Sequence, residues 1–414
     1  MNGKKLIKLG LTSLLSVGLI ACGGNSANNG GGEAPTTENK EVTLKVWAPS
    51  EDVVENGWLA KELAAFEEAH PEWKMTWDVE GVGEDQVKEK VTTDAENAAD
   101  VFLYPNDQIS FLLSANAIAK LGGATLNQVK SQNSASAVAT VTYEDAVYGV
   151  PFTPNTWFMY YDKRVFSEED VKSLETMLEK GVVAYPLNNS WYFAAPYVAN
   201  GCTLFGEDQL DQAAGIDFSG EKGAQVTARL VELVANPNFK IDADGYGLAG
   251  LGDGSINAIF TGSWDYQNVV EKLGEENVGA APVPTIEING EAKQMKAFAG
   301  TKAIGVNANC KNPEVAVALA AFLGSTEAQQ DHYDMRNTIP TDSAVNVGDD
   351  IVAKAILDTM DYASIVQPSF PEMGNYWDPA TALANEIING QVTADNAAEK
   401  TDAANATMNG NAVE

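Results

Sequence analysis

From residue 42 onward, short strand-like runs alternate with stretches whose apolar residues recur at helical spacing. Residues 42–47, Val-Thr-Leu-Lys-Val-Trp, alternate apolar and polar as a half-buried strand does. Leu59, Leu63 and Phe66 then share one face of a helix that must stop before Pro71. Residues 73–79 alternate again, a helix is expected around 86–95, and Asp100-Val101-Phe102-Leu103-Tyr104 reads as a buried strand. Strand–helix–strand succession requires crossover connections, so largely parallel sheets covered by helices are expected, an α/β architecture. Further on, residues 303–307 read as another strand. Asn312-Pro313-Glu314 supplies cap, first-turn proline and acid for an apolar helix over 315–323. The chain is long enough for two such lobes. Ligands of these sheets sit beyond the carboxyl ends of the strands, which directs attention to Ala48-Pro49-Ser50-Glu51-Asp52 and Pro105-Asn106-Asp107.

The amino terminus is an address rather than part of that fold. Lys4, Lys5 and Lys8 precede an apolar run over residues 9–21, too short to span a bilayer and suited to a secretory signal. The run ends Leu19-Ile20-Ala21-Cys22, which resembles a lipobox, the bacterial signal for cleavage before a cysteine that receives lipid. Residues 1–21 are therefore expected to be a lipoprotein signal peptide, with Cys22 as the lipidation site. Residues 22–40, rich in Gly, Asn, Ser, Thr and Pro, are expected to form a flexible tether. Export permits disulfides, but nothing in the sequence brings Cys202 and Cys310 together, and two separate buried thiols are expected.

Charge and motifs exclude several classes. Asp and Glu outnumber Lys and Arg by 58 to 26, a formal charge of −32 that would repel nucleic acid and anionic lipid. His70 and His332 lack a second histidine at ligand spacing, so no metal or other cofactor is expected. No G-x-S-x-G elbow, P-loop, H-E-x-x-H or dinucleotide fingerprint occurs. Paired acids such as Glu67-Glu68, Glu168-Glu169 and Asp349-Asp350 read as solvated faces. A carboxylate pair arranged for glycoside hydrolysis is the competing arrangement.

The tryptophans divide by setting. Trp58, Trp73 and Trp77 lie in predicted elements and read as core. Trp157, Trp191, Trp264 and Trp377 lie among turn-forming residues: Thr153-Pro154-Asn155-Thr156, Asn188-Asn189-Ser190, Thr261-Gly262-Ser263 and Gly374-Asn375-Tyr376. A large ring in such a place has a raised chance of lining a cleft. Rings flanked by acids and amides suit a pyranose, whose C–H faces stack while its hydroxyls donate to carboxylates. A hydrogen bond to a charged acceptor contributes about 1.5–3 kcal/mol.

Taken in order, several segments resemble the extracellular solute-binding proteins of carbohydrate ABC importers, most closely the maltose/maltodextrin-binding branch. They are Val46-Trp47, Asp100-Val101-Phe102 leading to Asn106-Asp107, Tyr148-Gly149-Val150-Pro151 and Met159-Tyr160-Tyr161-Asp162-Lys163. Ile259-Phe260-Thr261-Gly262-Ser263-Trp264, the Asn312-Pro313-Glu314 helix with Ser325-Thr326-Glu327-Ala328-Gln329, and Trp377 complete the set. The resemblance implies the two-lobed periplasmic-binding-protein fold, type II, with the ligand cleft between lobes joined by a hinge. It divides the chain into an N-terminal lobe of residues 41–153 plus 298–345 and a C-terminal lobe of 154–297 plus 346–414. Cys202 and Cys310 would then lie in different lobes.

Carried over by position, Glu51 and Asp52 match a polar pair that bonds sugar hydroxyls, Asp107 the acid after the third strand, and Tyr104 the aromatic before it. Asn155 stands where relatives carry an acid. Trp191, Trp264 and Trp377, with neighbouring Tyr376, match aromatic platforms; Trp157 is a candidate on its local setting alone. Two acids at 51–52, where a lysine is common, and an amide at 155 leave linkage and length of the oligosaccharide open. The implied protein is a monomeric, non-enzymatic receptor, exported and lipid-anchored to the outer face of the cytoplasmic membrane. It would bind maltodextrin and deliver it to the transmembrane permease subunits. A receptor of the same superfamily for another oligosaccharide or a non-sugar solute is the main alternative, and a lipid-anchored glycoside hydrolase a remote one.

Overall fold

The computed structural model describes residues 40–410 apart from Asp244. The leader, Cys22 and the tether up to residue 39 lie outside the described residues. The first strand, Lys40–Ala48, runs parallel to Trp73–Gly81, from Lys40 opposite Trp73 to Ala48 opposite Gly81. It also runs parallel to Val101–Pro105. The Trp58–Ala69 helix supplies the crossover and buries Trp58, Leu59, Leu63 and Phe66, the face that the spacing predicts. Trp73 and Trp77 differ from expectation. Their strand is the sheet edge, so both rings are half-buried, and the Trp77 indole donates to Glu67 Oε1 at 2.6 Å.

Beyond the Val101–Pro105 strand the first sheet ceases to be parallel. The long strand Ala297–Val306 lies antiparallel to it and, on its other edge, antiparallel to Val150–Thr156. Its first three residues pair in parallel with Ser364–Val366. The second sheet is mixed as well. Phe239–Ile241, Val183–Tyr185 and Ala258–Thr261 are parallel, and Phe158–Asp162 and Val278–Ala281 are added antiparallel. The departure from largely parallel sheets has a simple cause. Val150–Thr156 leads out of the first sheet into the second and Ala297–Val306 leads back, and neighbouring passes in opposite senses must pair antiparallel.

Separate cores result from this arrangement. One gathers apolar residues of 42–152 with those of 303–328. Another gathers residues of 157–298 with those of 363–408. A third, which includes Phe158, Tyr160, Ile259 and Ile356, packs residues 351–360 against the second sheet. A buried hydroxyl chain ties the Ala397–Met408 helix into the second core, from Tyr197 through Thr227 Oγ1 to Thr401 Oγ1 at 2.7 and 2.5 Å. The Pro313–Leu323 helix begins on its proline with Glu314 in the first turn, but the Asn312 side chain makes no capping bond. Ser325 does cap the next helix, Thr326–Arg336, by accepting from the Ala328 N–H. Cys202 and Cys310 are free thiols, and burial pushes both up to about 12. No described helix is long and apolar enough to cross a membrane.

The Trp58–Ala69 helix also carries Glu62, buried against Asp331 of the Thr326–Arg336 helix. Burial first, then the neighbouring Asp331 acid, raises its pKa from 4.5 to about 7. A raised carboxyl means that the folded state holds the proton more tightly than the unfolded chain. This group therefore destabilises the fold increasingly as pH climbs from about 4.5 through 7. Glu62→Gln is expected to stabilise the protein more at pH 8 than at pH 5, read as melting temperature across that range. Parallel curves for variant and wild type would refute the assignment.

Candidate functional site

The three parallel strands of the second sheet end side by side, and the segment after each is polar or aromatic. After Val183–Tyr185 the chain turns into the Ser190–Ala199 helix, where Asn189 caps by accepting from the Trp191 N–H at 3.0 Å. After Phe239–Ile241 comes Asp242, whose N–H reaches the Tyr185 carbonyl. After Ala258–Thr261 comes Gly262-Ser263-Trp264-Asp265, which starts the Tyr266–Leu273 helix. Strand order thus brings Trp191 and Trp264 together, ring centres 6.1 Å apart and tilted 34°. Burial raises Asp242, and the nearby Asp265 carboxylate adds to that rise. Thr261 Oγ1 donates to Asp265 Oδ2 at 2.5 Å.

Trp264 is 54% exposed, an unusual state for so large an apolar surface and one that a ligand would relieve. Its indole folds back over Gly262, where an added Cβ would lie 2.0 Å from Cζ3. Trp191 is half-buried behind it, its Nε1–H donating to Gln367 Oε1 at 2.9 Å. The Gln367 backbone N–H in turn reaches the Ala299 carbonyl of the returning strand. Aromatic surface and returning strand are thus joined through one amide side chain.

In front of Trp264 opens a cleft of about 770 Å³. The outgoing and returning strands contribute Thr153, Pro154, Asn155 and Lys302; the turn after Ala258–Thr261 and the helix it starts contribute Ser263, Trp264 and Tyr266; residues 337–339 and 349–352 close the sides. Its size and its mix of rings, amides and charges fall within the ordinary range for ligand pockets. Lys302 is held at 3.0 Å by Glu84. Asp350 caps the Ile351–Tyr362 helix and accepts from the Tyr333 hydroxyl at 2.8 Å. The Asp349-Asp350 pair is therefore cleft wall and cap rather than a merely solvated face. Among the described residues no cluster of His, Cys, Asp and Glu could hold a metal ion.

The candidates from sequence fall into distinct places. Asn155 and Trp264 line the cleft, and Trp191 backs it. Trp377 is half-buried against Phe298, ring centres 6.0 Å apart, in the first turn of the Gly374–Ile388 helix rather than in a loop. Glu51 is exposed on the loop after the first strand. Asp107 follows the third strand with its side chain reaching solvent, and the protein crowded around its carboxyl raises its pKa against the pull of Lys88. Tyr104, Trp157 and Tyr376 are fully buried. Trp157 packs inward against Tyr192, Tyr185 and Phe260. The Tyr376 hydroxyl donates to the Ser190 carbonyl at 2.8 Å. Asp52 is buried and accepts from His332 and Arg336.

Sequence reasoning missed Asp242, Asp265, Gln367, Lys302 and the 337–339 segment. For Asp242 a signal exists, an acid just past a strand, but the three residues at 239–241 are too brief to show alternation; Asp265 lies four residues beyond Ala258–Thr261, in the turn that starts the next helix. No local pattern marks Gln367 or Lys302; only strand pairing brings Lys302 to the cleft and Gln367 to the Trp191 indole behind it.

The chain matches the family of bacterial extracellular solute-binding proteins over residues 61–359. A solved structure with acarbose is 51% identical, covers 89% of this chain and 99% of its own, and superposes with a TM-score of 0.74. A maltooligosaccharide ABC transporter solute-binding lipoprotein of Streptococcus pneumoniae is 24% identical, the match covering 95% of each chain. A galactooligosaccharide-binding protein of Bacillus subtilis is 25% identical, with 94% of this chain and 93% of its own covered.

The Trp264 geometry has a direct test. Gly262→Ala is expected to displace the indole while the backbone, extended there at φ −110°, accepts the methyl group. Acrylamide quenching of tryptophan fluorescence should change without loss of melting temperature. An unaltered quenching profile would mean that the ring does not rest on Gly262.

Proposed function

The chain belongs to the family of bacterial extracellular solute-binding proteins, and from that premise we propose that it is the lipid-anchored substrate-binding component of an ABC importer for α-glucan oligosaccharides. The observation that carries the sugar reading is the cleft faced by the exposed Trp264 ring, with Trp191 tilted behind it and Asn155 on the strand that leads out of the first sheet. A pyranose offers what such a surface lacks, an apolar face for the ring and hydroxyls for amide and carboxylate. The relatives support the α-glucan choice, since acarbose is an α-linked pseudo-oligosaccharide and the pneumococcal protein takes its name from maltooligosaccharide.

The proposed lobes are residues 41–153 with 298–345 and residues 154–297 with 346–414. Sugar that bridges Lys302 and Trp264, which line one cleft, contacts both, so it binds the closed arrangement more tightly than the open one and shifts the population toward it. Glu51, Asp107 and Trp377 would join the contacts on closure. The closed receptor then docks on the permease, and the receptor performs no chemistry. Lipid at Cys22 with a short tether would hold it near its transporter and raise its effective concentration there. The galactooligosaccharide relative favours a second reading, a receptor for a differently linked oligosaccharide.

Calorimetric titration of the leaderless protein with maltotriose, a β-linked glucan trimer and a galactooligosaccharide separates these. Saturable binding of maltotriose alone is expected, and Trp264→Ala should weaken it by roughly tenfold to a hundredfold, the loss of one ring-stacking contact of about 1.4–2.8 kcal/mol. Preference for the galactooligosaccharide would install the second reading. New reducing ends after incubation would mean an enzyme.

A further inference from the structure

Asp52 lies beside exposed Glu51 on the loop after the first strand, yet it is 3% exposed and turned into the protein. Its Oδ1 accepts from His332 Nε2 at 3.0 Å and from Arg336 Nε at 3.2 Å, both on the Thr326–Arg336 helix. Its backbone is tied as well, the N–H to the Pro49 carbonyl and the carbonyl to the Leu59 N–H. His332 is itself buried, its ring 4.6 Å from that of Trp58 and 4.8 Å from that of Phe152. The Trp58 indole bonds the Ala328 carbonyl of the same helix at 2.8 Å.

This cluster joins three pieces, a loop proposed to meet sugar on closure and two that line or adjoin the cleft. The first is the loop that carries Glu51. The second is the end of the Thr326–Arg336 helix, which passes through Asn337 in left-handed conformation, φ 53°, into the cleft wall at residues 337–339. The third is Phe152, one residue before the cleft-lining Thr153, Pro154 and Asn155. A buried carboxylate already bonded to two donors is poorly placed to trade them for a sugar hydroxyl, because the donors would then be left unpaired.

We propose that Asp52 is a positioning residue, not a sugar ligand: clasped by His332 and Arg336, it holds the Glu51 loop and the 337–339 cleft wall in one fixed relation. This rests on the sugar-receptor function but reassigns the residue within it. Removing the clasp lets both segments wander, and a site loosened by even an ångström loses affinity.

The test is a double-mutant cycle of Asp52→Asn and His332→Gln, with Kd for maltotriose measured at a temperature where circular dichroism shows every variant folded. Each single variant is expected to raise Kd about tenfold, and the double variant no further, because both break one clasp. An unchanged Kd in Asp52→Asn would leave the residue a purely structural role and overturn the proposal. Multiplying effects would overturn it in favour of direct sugar contact. Arg336→Gln, at the half-exposed helix end, provides a milder variant should the buried ones fail to fold, and a smaller rise in Kd is expected from it. Amide hydrogen exchange on the sugar-free protein separates this proposal from the sugar assignment. Residues 50–53 and 337–339 should lose protection together in each variant, whatever the ligand proves to be. Loss confined to the 50–53 loop would refute the clasp.

Discussion

The antiparallel pairing of Val150–Thr156 with Ala297–Val306 is the constraint on which the rest of the molecule depends. Ala299 faces Thr156, Gly300 faces Asn155 and Thr301 faces Pro154, so the chain leaves one sheet and re-enters it along the same ladder. Several side chains tighten this crossing. Thr156 Oγ1 donates to the Phe298 carbonyl at 2.9 Å, Asn106 Oδ1 accepts from the Thr301 N–H at 2.9 Å, and Thr140 and Thr301 hydroxyls meet at 2.6 Å. Gly300 has to be small, since a Cβ there would approach Asn106 Oδ1 to 2.7 Å. Asn106 thereby ties the loop that carries Asp107 to the strand that faces Asn155. A few hydrogen bonds of about 1 kcal/mol each keep the crossing ordered.

The binding region is built outward from that ladder. Asn155 and Lys302 belong to it directly, Gln367 hangs from it through Ala299, and Trp191 is oriented by Gln367. Aromatic and amide groups from three distant stretches of sequence are thus referred to a single backbone element. Such a design suits a receptor whose lobes move, because hinge rotation changes the distance between walls without disturbing the wall that each lobe supplies. The Asp52 clasp does the same beside the first sheet, where a buried histidine, an arginine and a carboxylate fix the loop after the first strand.

Legibility varied with how local the determining physics is. Alternation in residues 42–47 and 73–79 and the Leu59, Leu63 and Phe66 spacing are nearest-neighbour patterns, and strands and helix stand where those patterns put them. The third strand and the Pro313–Leu323 helix were equally readable, although the expected Asn312 cap makes no side-chain bond. Clusters of Gly, Pro, Asn and Ser marked element ends well, but an end can point a ring either way. Trp264 after Ala258–Thr261 faces the cleft, whereas Trp157, between two strands, faces the core. The two clusters look alike in sequence; which sheet face each ring meets is a matter of register.

By itself the sequence determined the alternating α/β character, an export address, an excess of negative charge unsuited to nucleic acid, and an inventory of rings, amides and acids suited to a sugar. Each of those comes from composition or from residues a few positions apart. Tertiary structure decided that the sheets are mixed, that Trp191 and Trp264 form one surface, that Gln367 and Lys302 belong beside them, and that Asp52 answers to His332 rather than to solvent. Those outcomes depend on which strands become neighbours and in which direction they run. Such pairings join residues separated by as many as 284 positions, and no local pattern in the chain encodes them.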